Sequence, residues 1–236
     1  MGSLGERLAA TCRRVQEAAE RSGRDPKGIQ VVAISKTRSP EVILEAYRLG
    51  QRHFGENRVQ EFQEKRQKLA SMDPMVGVCW HLVGHLQSNK ARLAAELSDI
   101  IQSIDTVKLA RVLDRQASEL GKRLPVLLQV DFTKEPQRSG FQPESLEGAA
   151  GELVGLPNLE VQGLMAVAPL GLDEDGLRAV FRRLKSLQDR LASRYPKGMW
   201  RHLSMGMSED FEIAIEEGAT IVRIGRAIFG ERPGRN

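Results

Sequence analysis

From one end of the chain to the other, short apolar runs alternate with longer stretches in which apolar positions recur every three or four residues. The short runs predict strands at Val31–Ser35, His53–Gly55, Trp80–Gly84, Ile100–Ile104, Val126–Val130, Val161–Val167, His202–Met205 and Ile221–Ile224. The longer stretches read as helices. One opens with Ser39-Pro40, a cap residue followed by a proline whose missing N–H is not needed in a first turn, and stops at Gly50. A second starts at Thr106, carries Leu109, Leu113 and Leu120 on one face, and ends at Gly121. A third bears Leu177, Val180, Phe181, Leu184, Leu187 and Leu191.

Such alternation predicts a parallel sheet with crossover helices, and about eight units favour a closed (β/α)8 TIM barrel over an open doubly wound sheet. Only a short polar tail follows the last strand, which leaves no room for a full eighth helix. An extra N-terminal helix, with Leu4, Leu8, Cys12, Val15 and Ala19 on one stripe, is expected to cover that side of the barrel. No Ser- or Pro-rich linker and no internal repeat divides residues 1–236, so a single domain is expected.

Composition narrows the function classes. With 41% hydrophobic residues the chain can build a sizeable core, yet its longest apolar runs are strand-sized, so no membrane span is expected. The N-terminus lacks the basic-then-apolar pattern of a secretory signal, and Glu6 stands where a myristoylation motif needs Ser or Thr. A cytoplasmic protein is expected. The 35 basic and 31 acidic residues are spread along the chain and aromatics make up 5%, which argues against nucleic acid as a partner. Cys12 and Cys79 show no metal or redox spacing and are expected to be buried thiols.

The candidate chemistry lies at the two ends of the chain. Lys36 directly follows the first strand, where a partly dry barrel mouth lowers an amine's pKa and frees a nucleophile. The loops after strands 7 and 8, where barrels favour phosphate, are Ser204-Met205-Gly206-Met207-Ser208 and Gly225-Arg226-Ala227. Ring closure sets strand 1 beside strand 8, so Lys36 would project beside Arg223. An amine, a fixed cation and an anion cradle around one cavity fit a phosphorylated aldehyde held as an imine.

Other residues are less specific. Asn57, at the end of strand 2, either faces the mouth or caps the next helix. His81 and His85 bracket strand 3, which puts them about 13 Å apart and speaks against metal binding. Met165, Met205 and Met207 read as packing residues, and Glu216-Glu217 as a solvated helix face.

Five ordered motifs now carry a resemblance. They are Ala33-Ile34-Ser35-Lys36-Thr37, Phe54-Gly55-Glu56-Asn57-Arg58-Val59-Gln60-Glu61, the segment His81 to Lys90, Leu203-Ser204-Met205-Gly206-Met207-Ser208, and Val222-Arg223-Ile224-Gly225. Together they resemble the pyridoxal phosphate homeostasis protein family over essentially the whole chain. The resemblance implies a barrel of the alanine-racemase N-terminal-domain type that binds pyridoxal 5′-phosphate (PLP). It implies Lys36 as the Schiff-base lysine and Arg223 as the partner of the pyridine nitrogen. Gly225 and the Arg226 amide would hold the phosphate with a hydroxyl from Ser204 or Ser208, a choice that spacing leaves open.

The implied role is a carrier or buffer that passes the cofactor to apo-enzymes, expected as a monomer or weak dimer. Arginine has no acceptor, so it donates to the ring nitrogen, keeps it unprotonated and makes the ring a poorer electron sink. The alternative is a PLP-dependent amino-acid racemase, which needs a second base. In alanine racemase that base is a tyrosine from an additional domain and the partner subunit, whereas Tyr47 and Tyr195 here fall in predicted outer helices. No catalytic residue is therefore assigned. A Schiff-base aldolase is a third reading, but that class usually places its lysine on a later strand.

Overall fold

Eight parallel strands pair in sequence order and the last returns to the first, closing a barrel. They are β1 (Gln30–Ile34), β2 (His53–Glu56), β3 (Cys79–Leu82), β4 (Ile100–Ile104), β5 (Leu124–Val130), β6 (Leu159–Ala166), β7 (His202–Ser204) and β8 (Ile221–Ile224). This computed structural model describes residues 2–133, 135 and 138–231. The helices among them are α1 (Leu4–Arg21), α2 (Pro40–Arg48), α3 (Val59–Met72), α4 (Ala91–Leu97), α5 (Val107–Glu119), α6 (Pro143–Leu153), α7 (Glu174–Arg194), α8 (Phe211–Glu216) and α9 (Arg226–Phe229). None of these helices is long and apolar enough to cross a membrane.

Local chemistry sets the helix ends. Thr106 caps α5 by accepting from the Leu109 amide at 3.2 Å, and Asp173 caps α7 by accepting from Gly176 at 2.9 Å. Ser39 precedes Pro40 as expected, although its side chain makes no cap bond. Helix α7 turns Val180, Phe181, Leu184, Leu187 and Leu191 onto the sheet, with Leu177 partly buried beside them. Each such side chain contributes about 1.5–3 kcal/mol when fully buried.

Alternate residues of each strand face inward. Val32, Ile100, Leu127, Met165 and Ile221 meet there as an apolar layer inside the barrel. Strand limits differ from the sequence pattern by a residue or two. β1 stops before Ser35, whose carbonyl and hydroxyl are taken by side chains of neighbouring elements. β3 begins at Cys79, which pairs with His53.

The short α9 leaves a side of the barrel open, and α1 packs there against α8 and α9. Arg7 Nε donates to the Ile228 carbonyl at 2.9 Å, and Arg14 pairs with Glu212 at 2.9 Å. The N-terminal helix thus fills the expected place. Cys12 is a correction: it is exposed, and Thr11 is buried instead, its hydroxyl donating to the Arg7 carbonyl at 2.9 Å. The helical stripe passes from Leu8 through Thr11 to Val15 and Ala18, so a residue four beyond Leu8 falls at its outer edge. Glu216 and Glu217 also differ from a solvated face, because Arg178 and Arg182 of α7 bind them.

Candidate functional site

The carboxyl ends of the strands open into a cavity of about 670 Å³, lined in part by Lys36, Ser208, Asp210, Arg223, Gly225 and Arg226. That volume lies within the usual small-molecule range of about 300–1,000 Å³. Residues from both ends of the chain meet because Val32 pairs with Arg223 and Ala33 with Ile224 across the β1–β8 seam.

Lys36 is half-buried and sits on a turn held from below. Lys65 of α3, itself buried, donates to the Ser35 carbonyl at 2.7 Å and to Glu56 at 2.8 Å, and pairs with Glu61 at 2.7 Å. The Ser35 hydroxyl donates to the same Glu56 oxygen at 2.7 Å. Glu61 accepts from the Thr37 amide. Thr37 has φ +63°, a left-handed conformation that is rare and strained for a β-branched residue. Lys65 and Glu61 thus fix the backbone on both sides of Lys36, and Glu56 holds Lys65 in place. Burial pushes the Glu56 pKa up, against the pull of Lys65.

Beside the lysine, across the β1–β8 seam, lie the loops after β7 and β8. Gly206 has φ +91°, and an added Cβ would lie 2.6 Å from Ala214 Cβ, so this turn requires glycine. Its carbonyl accepts from the Arg223 amide at 3.0 Å, tying the loop after β7 to strand β8. The Ser208 hydroxyl accepts from the Ala227 amide at 3.3 Å. Among the described residues the amides of Ser208 and Arg226 have no acceptor, which leaves donors for an anion. The Arg226 side chain pairs with Glu209 at the cavity wall.

Arg223 is buried. Its Nη1 donates to Ser204 Oγ at 2.7 Å and its Nη2 to the Ala166 carbonyl at 2.8 Å. Burial lowers its pKa to about 10, with Asp210 opposing the shift, so the guanidinium stays charged at neutral pH. Ser204 Oγ donates in turn to Gln102 Oε1 at 2.6 Å, and Gln102 Nε2 lies 2.8 Å from His81 Nδ1. A polar chain therefore runs from the mouth down the barrel interior.

Lys36, Ser208, Arg223, Gly225 and Arg226 are brought together around the cavity. Ser204 lies beneath Arg223 and is absent from the cavity lining. Asn57 is also outside that lining, and it does not cap α3, whose cap position is Arg58. Its Oδ1 is buried without a hydrogen-bond partner. Asn57 and Lys36 each stand two residues beyond the paired Gly55 and Ile34, at the same rim of the barrel.

His81 and His85 belong to separate networks, His85 holding Asp105 at 2.8 Å. Tyr47 lies on α2 and Tyr195 at the end of α7, and neither lines the cavity. Met165 and Met205 are buried packing residues, whereas Met207 reaches the cavity wall. The support beneath Lys36 was not read from the sequence. Its one visible signal is the Glu61–Lys65 spacing on the helix after β2.

Comparison with known proteins agrees with this geometry. The family model for the alanine racemase N-terminal domain matches residues 6–233. A pyridoxal phosphate homeostasis protein of Vibrio cholerae is 42% identical over 98% of each chain. That of Aquifex aeolicus is 41% identical over 96% of this chain and 97% of its own. The structure of PipY from Synechococcus elongatus with PLP bound superposes with a TM-score of 0.86 at 40% identity, covering 97% of this chain and all of that one. Sequence and fold thus agree over nearly the full length, and the chain belongs to the pyridoxal phosphate homeostasis protein family, built on the alanine racemase N-terminal barrel.

Proposed function

We propose that this chain is a cytoplasmic PLP-binding protein, a single barrel domain that holds the cofactor covalently yet reversibly and serves its homeostasis as a carrier or buffer. The observation that carries this reading is one cavity lined by an amine, Lys36, a fixed cation, Arg223, and the loop residues Ser208, Gly225 and Arg226. The residues fit the group. Unpaired amides at Ser208 and Arg226 suit a phosphate, and the buried Asn57 Oδ1 lacks a donor.

In this reading Lys36 supplies the nucleophile. Its amine would hold the group through the aldehyde, covalently and reversibly. Ser208 Oγ and the loop amides take the phosphate. Arg223, held by Ser204 and the Ala166 carbonyl, would donate to the pyridine nitrogen and keep it unprotonated. PLP supplies an electron sink when bound, and such a nitrogen weakens it. The open mouth leaves a path for transfer to apo-enzymes, and the self-closing barrel needs no partner subunit, which favours a monomer or weak dimer.

An amino-acid racemase is the second reading, favoured by the shared barrel. It requires a base on the far face of the cofactor, and no tyrosine lines the cavity among the described residues. Deuterium wash-in at Cα across the common amino acids separates the two, with Lys36→Ala as control. The carrier reading expects no exchange at catalytic rates, and rapid multiple-turnover exchange with any amino acid overturns it.

A further inference from the structure

The opposite mouth of the barrel holds chemistry that the cofactor site does not use. There inward residues near the strand starts, among them Gln30, His53, Cys79, His81 and His202, surround a cavity of about 330 Å³. Three of the chain's four histidines and one of its two cysteines gather at this one place. We propose that it is a metal site, in which His53, Cys79 and His81 bind a zinc-class ion.

Strand register assembles the ligands. His53 pairs with Cys79 and Gly55 with His81, so the three side chains fall on the inward face of two neighbouring strands. Their ligand atoms all lie within 4.8 Å of one another, the only such trio of His, Cys, Asp or Glu among the described residues. His53 Nδ1 and His81 Nε2 are 3.1 Å apart. A tetrahedral zinc ion, with bonds of about 2.0–2.3 Å, spaces its ligands by roughly 3.3–3.7 Å. A thiol movement of about 1 Å or less therefore meets that spacing.

The donor set selects the ion. Two imidazoles and a thiol suit zinc or cobalt(II) and exclude calcium and magnesium, which take oxygen ligands. A side chain that can orient His81 from behind is also present. Gln102 faces His81 Nδ1 at 2.8 Å, and turning its amide over presents Oε1 to an Nδ1–H once His81 Nε2 is on the metal. Ser204 Oγ then accepts from the amide instead of donating to it. The fourth position opens on the cavity, where His202 or a water completes the tetrahedron. Inward of the site lies the apolar layer of Val32, Ile100, Leu127, Met165 and Ile221, which limits water from that side.

The test is a titration of tag-free full-length protein with cobalt(II), followed by zinc(II) displacement. Expected are one equivalent of cobalt, the intense visible bands of a tetrahedral ion and a near-ultraviolet thiolate charge-transfer band, all removed by zinc. Cys79→Ser should abolish the charge-transfer band, and His53→Gln and His81→Gln should weaken binding, with far-UV circular dichroism confirming that each variant is folded. If a variant fails to fold, maleimide labelling of the wild type decides. Zinc should slow reaction at Cys79 about tenfold or more while leaving the exposed Cys12 unchanged. No charge-transfer band in the folded wild type, a band that survives in Cys79→Ser, or equal labelling of Cys79 with and without zinc would each overturn the proposal.

Discussion

Val32 lies directly across the β1–β8 seam from Arg223. That one pairing makes neighbours of residues from opposite ends of the chain, so that Lys36 and the loops after β7 and β8 share a cavity. The site is a product of barrel closure, and changes to the turn that carries the lysine should act on ligand binding and stability together.

The first expectation concerns Lys65. It is the buried cation that satisfies Glu56, Glu61 and the Ser35 carbonyl, so Lys65→Met leaves the Glu56 carboxylate without its partner. A loss of about 3–5 kcal/mol in urea unfolding is expected. Adding Glu56→Gln to Lys65→Met should recover part of that loss, because the buried charge goes with its partner. Full stability in the single variant would show that the cluster is not what holds the Lys36 turn.

Ser208→Ala should separate phosphate from aldehyde recognition. A hydrogen bond to a charged group contributes about 1.5–3 kcal/mol, so PLP affinity should fall by roughly 10- to 150-fold. Pyridoxal, which lacks the phosphate, should bind the variant and the parent alike. Equal weakening of both ligands in absorbance titrations would remove Ser208 from the phosphate cradle.

Gly206→Ala tests the turn that joins the loop after β7 to strand β8. Both the left-handed φ of +91° and the contact with Ala214 oppose a Cβ there. A stability loss on the order of 1–3 kcal/mol is expected by thermal unfolding, with PLP affinity falling as the Arg223 amide loses its acceptor. An unchanged melting temperature would mean that the turn relaxes without strain.

Acid should weaken the α7–α8 clamp. The hydrogen bond from Arg178 holds Glu216 below the usual carboxylate range, with burial opposing it. A carboxylate depressed in the folded state contributes stability above its unfolded pKa of 4.5 and loses it as pH falls through the lower folded value. Arg178→Ala should therefore lower stability at pH 7 by about 1 kcal/mol or less, the pair being part-exposed. The difference from the parent should shrink below pH 4.5. A gap that is constant with pH would assign the loss to packing.

Much of the barrel was legible because its signals are local. Periodicity alone placed Ile100–Ile104 and Ile221–Ile224, and Gly50 and Gly121 marked helix stops. Lys36, Arg223 and Gly225 were legible because barrel geometry dictates where strands 1 and 8 end. Three features were not. Ser204 and Ser208 stand four residues apart, at the end of β7 and in the loop after it, and only the fold shows that Ser204 turns inward to Arg223 and Gln102 while Ser208 reaches the cavity. The Lys65–Glu56 pair joins a helix to a strand end, a relation that no spacing encodes. His53 and Cys79 meet through strand register, so the sequence showed a histidine and a cysteine and not a cluster.

The most direct test of the covalent site is borohydride reduction of the PLP-loaded protein, followed by mass spectrometry of its peptides. A single pyridoxyl adduct on Lys36, absent from Lys36→Ala, is the predicted result. An adduct on Lys65 or any other lysine, or the same labelling in Lys36→Ala, would contradict the account.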